Sequence, residues 1–205
     1  MPKLTLYHAA PSRSSVVHWM LEEIGEPYDL NVLKLSAGDQ RKADYLAINP
    51  QGKVPALRHG DVVITEVAAI CAYLADAFPQ AKLAVPIGDP RRGVYFQWLF
   101  FGPSCIEPAM MDKSFPRNPA PPPTALGYRD LDTLLDVLVK AIGNGPHLMG
   151  EQFTAADVVI GAGLRWGMAF KMIPERPALV AYVERLAQRP AWQRAEAKDK
   201  DLAAA

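Results

Sequence analysis

Two serines, Ser12 and Ser14, stand where the sequence predicts the start of its first helix. The residues after them have the spacing of an apolar helix face, formed by Val16, Val17, Met20, Leu21 and Ile24. A serine at a helix start can cap the free N–H groups. Its hydroxyl can also donate to an anion that the positive end of the helix stabilises. Because these two roles are compatible, both serines are candidates for capping and for chemistry.

A second group of candidate residues lies around a predicted hairpin, in which residues 54–58 and 62–64 flank a turn. Pro55 cannot donate to a sheet ladder, so it belongs at the start or the edge of a strand. If its peptide bond is cis, Val54 turns its backbone outward, where a ligand can pair with it. Glu66 then opens a predicted helix, and the N-terminus of a helix is a favourable place to bind an anion.

The elements that must position these residues alternate between strand and helix in the first third of the chain. Leu4 and Leu6 alternate with Thr5 and Tyr7, which predicts a strand. The helix of the two serines follows, and residues 28–35 have the pattern of a second strand. A strand, a helix and a strand of these lengths predict a parallel βαβ unit. The hairpin and a helix over 66–78 complete this part.

From Arg91 onward the sequence predicts helices and no strand. We expect helices over residues 91–111, 125–142, 154–171 and 177–189. Pro103 and Pro108 should break the first of them, and the proline-rich stretch 115–123 should form a loop. The predicted domains are therefore 1–79, a linker over 80–90, and a helical domain over 91–205.

Charge and cysteine usage exclude several classes of protein. Lys plus Arg and Asp plus Glu number 22 each, so neither nucleic acid nor an anionic membrane is expected as a partner. No apolar run reaches the ~18 residues of a membrane span, and the N-terminal sequence does not read as a signal peptide. Cys71 and Cys105 have neither redox nor metal-ligand spacing. We expect a cytoplasmic protein with buried thiols and no metal site.

Four segments together resemble the glutathione transferase family over nearly the whole chain: Leu6 to Ser14, Asn49 to Leu57, Thr65 to Ile70, and Phe153 to Asp157. The most specific is the run Asn-Pro-Gln-Gly-Lys-Val-Pro-Ala-Leu, followed about ten residues later by an acidic residue that opens a helix. The order and spacing of the four segments carry the resemblance. It implies an α/β thioredoxin-like N-terminal domain plus an all-α C-terminal domain.

The resemblance also implies a glutathione site. Val54, before Pro55, would pair its backbone with the cysteinyl part of glutathione, as a short added strand. Glu66 would bind the γ-glutamyl amine, and the helix N-terminus would bind the neighbouring carboxylate. The family usually has serine where this chain has Val67, so the backbone N–H is kept and the hydroxyl contact is lost. Glu66 has an alternative role, which is to complement the helix dipole.

Four basic residues are further candidates for this site. Lys53 matches a position that lines it, while Arg41 and Lys42 could meet the glycyl carboxylate; ordinary solvated side chains are the alternative for all three. The positive charge of Arg13 at the start of a helix interacts unfavourably with the helix dipole, which suggests another role. Arg13 could stabilise the thiolate or a substrate anion. Aligned with the bacterial cysteine-type members, Arg13 takes the place of their cysteine, so their chemistry is absent.

The group that would activate the thiol has several candidates. Counted from the first strand, Ser12 takes the place of the serine in the serine-type members. Ser14 and Tyr7 are the next candidates, followed by backbone amides. If the family pattern is aligned on the Pro-x-Arg element of this chain instead, the position of the activating serine moves back to Ala9 or Ala10. An alanine has no hydroxyl that could donate to the thiolate.

The second substrate would bind between the two predicted domains. Candidate pocket residues are His8, Trp98 and Phe101, with Phe115 beside them. The alternatives are a core position for the aromatic residues and a solvent-exposed loop position for His8. Cys105 is a weaker candidate for thiol chemistry near this cleft.

The predicted function is a glutathione transferase that directs the glutathione thiolate at small hydrophobic electrophiles, as in detoxification. A glutathione-binding module that acts through a protein partner without catalysis is the alternative. A thioredoxin-type disulfide oxidoreductase is excluded because the start of the first helix has no cysteine. The resemblance further implies a homodimer.

Overall fold

The computed structural model describes residues 3–143 and 145–204. Contacts divide the chain into two compact units, Met1–Lys82 with Gln188–Ala205, and Leu83–Ala187. The predicted domain boundaries stay predictions; these units differ from them by joining the C-terminal segment to the first unit. In the described part of the chain, no helix is both long and apolar enough to cross a membrane.

A four-stranded mixed sheet forms the centre of the first unit. Its strands are β1 (Leu4–His8), β2 (Tyr28–Val32), β3 (Ala56–His59) and β4 (Val62–Thr65), in the order β2-β1-β3-β4. β1 pairs parallel with β2 and antiparallel with β3, which pairs antiparallel with β4. The predicted βαβ unit and hairpin are therefore present. β2 is shorter than predicted because single 3₁₀ turns follow it, at Leu35–Ala37 and Asp39–Arg41.

Three helices of the first unit carry or flank the candidate residues: α1 (Ser14–Ile24), α2 (Ala43–Leu46) and α3 (Val67–Ala77). Along β1 the side chains of Leu4, Leu6 and His8 are buried, while those of Thr5 and Tyr7 are half-buried. Since successive side chains of a strand point to opposite faces, His8 and Tyr7 lie on different faces of the sheet.

A further helix, α9 (Pro190–Ala204), completes the first unit, and the sequence did not predict it. Its buried apolar residues are only alanines, Ala191 and Ala195. Charged side chains also join it to α1. Arg194 and Lys198 both donate to the Glu22 carboxylate, at 2.7 and 2.6 Å. A helix without a stripe of large apolar residues gives no periodic signal in the sequence.

The Glu22 carboxylate should make stability depend on pH. Burial raises its pKa, but hydrogen bonds from Lys198, Tyr28 and Arg194 outweigh this and lower the pKa from 4.5 to about 2. The stabilisation is therefore complete above about pH 4.5 and is lost as the pH falls toward 2. We expect Glu22→Gln to cost about 2 kcal/mol of unfolding free energy at neutral pH. Urea unfolding at about pH 7 and about pH 3 should show this difference shrinking in acid; a difference independent of pH would contradict it.

The second unit is helical in its described part. Its helices are α4 (Arg91–Phe101), α5 (Glu107–Ser114), α6 (Leu131–Ile142), α7 (Ala155–Ala169) and α8 (Pro177–Ala187). The predicted break between α4 and α5 is present as a π-helical turn, Gly102–Ile106, that contains Pro103. The predicted start of α6 at residue 125 is wrong. The helix begins at Leu131 because Asp130 caps it, accepting the Thr133 N–H at 2.8 Å.

The predicted capping box at the start of α7 is present and fully buried. Asp157 accepts the Thr154 N–H at 2.9 Å, and the same carboxylate accepts the Leu148 N–H and the Tyr182 hydroxyl, both at 2.8 Å. This one side chain thus joins α7, α8 and the segment before α7.

Candidate functional site

The loop before β3 is held by side chains that anchor its backbone. The Tyr45 hydroxyl and the Asn49 amide both donate to the Lys53 carbonyl, at 2.5 and 2.8 Å. Gly52 has φ +62°, and a Cβ there would lie 2.9 Å from the Gln40 carbonyl oxygen, so only glycine fits. Tyr45 and Asn49 are buried, and no pattern in the sequence marks them as part of the site.

After this loop the Val54–Pro55 peptide bond is cis, the conformation that would turn the Val54 backbone outward. Pro55 is buried and Val54 is half-buried. The strand pairs begin only at Ala56, so Val54 lies just outside the ladder. The exposed Lys53 precedes them.

Glu66 stands immediately before α3 in an unusual backbone conformation, with φ +68° and ψ 120°. This region costs a non-glycine residue about 1–3 kcal/mol, and such strain is concentrated at functional sites. The side chain is exposed, and one carboxylate oxygen lies 3.4 Å from the Gln51 amide nitrogen. Val67, the first residue of α3, follows directly, so a carboxylate and a helix N-terminus are side by side.

Ser12 and Ser14 form one hydrogen-bonded pair at the start of α1. Their hydroxyl oxygens are 2.7 Å apart, and the Ser12 oxygen also accepts the Ser14 N–H at 3.0 Å. Ser12 is half-buried. Arg13 lies between them, also half-buried, as the residue before the helix.

The prediction that Ser14 itself touches a bound thiol is corrected by its surroundings. Ser14 has no exposed surface. Its hydroxyl oxygen accepts the Ala9 N–H at 3.0 Å and lies 2.9 Å from His8 Nδ1 and 3.1 Å from the Ala9 carbonyl. With its contacts made inside the protein, it cannot reach a ligand. Ser12 remains the candidate.

The prediction of His8 as a pocket residue is also corrected. His8 is fully buried, with Ser14 on one ring nitrogen and Asp199 of α9 3.1 Å from the other. Tyr7 lies on the opposite sheet face, where its hydroxyl accepts from Arg58 Nε at 3.3 Å. The alternation of β1 therefore separates Tyr7 from the serine pair.

The aromatic candidates belong to the second unit. Trp98 is buried and Phe101 is half-buried, with ring centroids 5.5 Å apart in an edge-to-face arrangement. Phe115 is exposed. Of the two rings on α4, that of Trp98 therefore belongs to the core, and that of Phe101 is partly accessible at the surface.

The remaining candidates are less specific. Arg41 and Lys42 are exposed, and Lys42 pairs with Asp39 at 2.6 Å. Burial raises the pKa of both cysteine thiols, that of Cys71 most strongly, so neither is a ready nucleophile.

Sequence reasoning missed a cluster of three side chains, His8, His18 and Asp199, whose ligand-type atoms lie within 4.8 Å of one another. The cluster has the composition of a metal site. However, His18 Nδ1 and Asp199 Oδ1 are 2.5 Å apart, whereas a tetrahedral zinc with bonds of about 2.0 Å would space them by about 3.3 Å. The contact is a direct hydrogen bond.

Comparisons with known proteins identify the family of the chain. Residues 12–77 match the model of the glutathione S-transferase N-terminal domain, and residues 127–190 match that of the C-terminal domain. The chain is similar to a glutathione S-transferase of Escherichia coli O157:H7, with 30% identity over 93% of this chain and 96% of that protein.

Solved structures give the same result. A glutathione transferase from Methylococcus capsulatus is 31% identical, with a TM-score of 0.81 over 96% of this chain and 98% of that one. A glutathione transferase homologue from Sulfitobacter, crystallised with bound glutathione, is 25% identical, with a TM-score of 0.76 over 97% of this chain and 99% of that one. The predicted combination of an α/β thioredoxin-like domain and an all-α domain is confirmed, and the chain belongs to the glutathione S-transferase family.

Proposed function

We propose that this protein is a glutathione transferase that binds glutathione in its first unit and activates the thiol for attack on small hydrophobic electrophiles. The observation that carries the proposal is the strained Glu66 at the start of α3, beside the anchored loop that ends at Val54–Pro55. A strained acid next to a helix N-terminus suits a ligand end that carries both an amine and a carboxylate. The γ-glutamyl end of glutathione has this chemistry.

Each part of the ligand has a candidate partner. The Glu66 carboxylate would pair with the amine, and the Val67 N–H would bind the γ-glutamyl carboxylate. The Val54 backbone, outside the strand pairs, is free of the ladder and would pair with the cysteinyl part. Lys53 would lie near a carboxylate, because it directly precedes Val54 in the anchored loop.

The thiolate would be stabilised at the start of α1. The Ser12 hydroxyl would donate to the sulfur, and the positive end of α1 favours the anion. A free cysteine thiol has a pKa of about 8.5, so a drop of about 2 units gives mostly thiolate at neutral pH. Arg13, next to Ser12, adds a positive charge. Binding the electrophile close to the thiolate would supply the remaining acceleration by proximity.

The finer parts of the proposal rest on the family. The electrophile would be a small hydrophobic compound that contacts Phe101, which packs against the buried Trp98, and the reaction would serve detoxification. We also propose a homodimer in the cytoplasm. Two free cysteines, Cys71 and Cys105, suit a reducing compartment.

One observation favours a second function. Val67 stands where the family usually has serine, so one hydrogen bond to the ligand is absent. A glutathione-binding module that acts through a protein partner would tolerate this loss. The two functions are distinguished by assaying conjugation across a panel of electrophiles: binding of glutathione with no turnover on any of them favours the module.

The proposed function is tested by titrating reduced glutathione into the purified protein in a calorimeter. We expect Glu66→Ala to weaken binding by about tenfold or more, a loss of about 1.4 kcal/mol. The matched control is Asp61→Ala, which removes an exposed acid from the β3–β4 turn and should leave the affinity unchanged. Equal affinities of the wild type and Glu66→Ala, or no binding by the wild type up to millimolar glutathione, would overturn the proposal.

A further inference from the structure

A row of buried polar side chains leads from Ser12 into the first unit and ends on α9. Ser12 Oγ lies 2.7 Å from Ser14 Oγ, which lies 2.9 Å from His8 Nδ1. On the far side of the imidazole, His8 Nε2 lies 3.1 Å from Asp199 Oδ1. Because Ser14 and His8 have no exposed surface, water does not compete for these contacts.

Asp199 holds a negative charge at the inner end of this row. Burial raises its pKa, but hydrogen bonds from His18, His8 and Ser15 outweigh that effect and keep the pKa well below its ordinary value. His18 Nδ1 contacts the same carboxylate oxygen at 2.5 Å, and its other nitrogen lies 2.9 Å from the Tyr28 hydroxyl. Among the described residues, the titratable groups facing His8 are thus His18 from α1 and Asp199 from α9.

We propose that Ser14, His8 and Asp199 form a proton relay behind Ser12, through which the thiol of bound glutathione gives up its proton. The relay rests on the proposed function, because it needs a thiol at Ser12. Ser12 alone would touch the sulfur. Ser14, His8 and Asp199 act through it and are positioning residues.

The proton balance of the step follows from the hydrogen-bonding capacity of each group. The Ser14 hydroxyl has one proton, which can go to the Ala9 carbonyl at 3.1 Å or to His8 Nδ1 at 2.9 Å. Before the step the thiol donates to Ser12, Ser12 donates to Ser14, and Ser14 turns its proton from the Ala9 carbonyl to Nδ1 of a neutral His8, whose Nε2 faces Asp199. In the step the S–H bond breaks, each hydroxyl passes on one proton and receives another, and an N–H bond forms at His8 Nδ1. The sulfur keeps its electron pair as a thiolate, and the imidazolium is paired with the Asp199 carboxylate.

Backbone groups keep the two oxygens in place before and after the transfer. The Ala9 N–H donates to Ser14 Oγ and the Ser14 N–H donates to Ser12 Oγ, both at 3.0 Å. After the transfer each hydroxyl accepts two hydrogen bonds and donates one, and Ser12 donates to the thiolate. Both hydroxyls in the row are therefore satisfied in the product state, and the charge of the imidazolium is compensated by the Asp199 carboxylate, 3.1 Å from His8 Nε2.

The relay is tested by measuring the pKa of the bound glutathione thiol from the ultraviolet absorbance of its thiolate. We expect Asp199→Asn and Ser14→Ala each to raise that pKa by about 1 unit or more relative to the wild type, since each 1.36 kcal/mol of lost thiolate stabilisation shifts it by one unit. S-methylglutathione has no thiol proton, so we expect both variants to bind it with an affinity within about twofold of that of the wild type. A merely structural role would affect both ligands alike.

The matched control is Glu23→Gln. Glu23 of α1 binds Arg189, just before α9, at 2.6 and 2.8 Å. This variant removes a buried charge that links the same two segments without touching the relay. We expect it to lower the thermal stability and to leave the thiol pKa unchanged.

The outcomes separate the relay from the proposed function. An unchanged thiol pKa in Asp199→Asn and Ser14→Ala, with the wild type binding glutathione, overturns the relay alone. An equal rise of the thiol pKa in Glu23→Gln also overturns the relay, because the effect would then come from a general loss of stability. Failure of the wild type to bind either ligand overturns the proposed function and the relay with it. If Asp199→Asn does not fold, Ser14→Ala, which removes one oxygen atom, decides the result.

Discussion

Replacing Asp157 with alanine should lower the free energy of unfolding by about 4 kcal/mol. The carboxylate is fully buried and accepts from the N–H groups of Thr154 and Leu148 and from the Tyr182 hydroxyl. Alanine would leave these three donors buried without an acceptor, at about 1–3 kcal/mol for each isolated group. The total is smaller than the sum because the region can relax and admit water.

Urea unfolding of the wild type and Asp157→Ala measures this effect, and Asp130→Ala provides the matched control. Asp130 caps α6 with the same type of side chain, but in an exposed position, so its loss should cost about 1 kcal/mol. If both variants lose the same small amount of unfolding free energy, the buried network around Asp157 contributes no more to stability than an ordinary helix cap. That result would contradict the prediction.

The local parts of the candidate site could be predicted from sequence because their chemistry lies in short segments. The sequence points to Val54–Pro55 because proline has few places next to a strand, and to Glu66 because an acid opens a predicted helix. In both cases the deciding residues are neighbours in the chain. The structure adds the backbone strain at Glu66, which no sequence pattern encodes.

The wrong assignment of His8 has a different origin. Leu4 and Leu6 already showed which face of β1 is buried, and the same alternation places His8 on that face and Tyr7 on the other. The pattern was therefore sufficient to exclude His8 from a pocket. A histidine at the end of a strand is also a common catalytic or binding residue, which favours the pocket assignment when the alternation is left out of account.

The partner of His8 could not have been found in this way. Asp199 is separated from it by most of the chain and lies on α9, a helix with alanines and charged residues on its buried face. Such a helix binds through ion pairs, which depend on positions in space and leave no periodic pattern. The same reasoning explains why the helix and the His18 contact were both missed.

Glu66→Gly should separate the strain of the backbone from the chemistry of the side chain, and it is the sharper test of the candidate site. At φ +68° and ψ 120°, a non-glycine residue costs about 1–3 kcal/mol. Glycine relieves this cost, while its greater freedom in the unfolded chain removes about 0.5–1 kcal/mol of the gain. Without ligand, we expect the variant to be more stable than the wild type by about 1 kcal/mol.

Binding should change in the opposite direction. Glu66→Gly and Glu66→Ala both lack the carboxylate, so each should bind glutathione about tenfold more weakly or worse, but only the glycine variant should gain stability. Urea unfolding without ligand and calorimetric titration of both variants measure the two effects separately. A glycine variant less stable than the wild type would mean that the conformation is not strained, and wild-type affinity in both variants would mean that the carboxylate does not bind the amine. If Glu66→Gly is more stable than the wild type and binds glutathione more weakly, then Glu66 lowers the stability of the free protein and raises its affinity for glutathione.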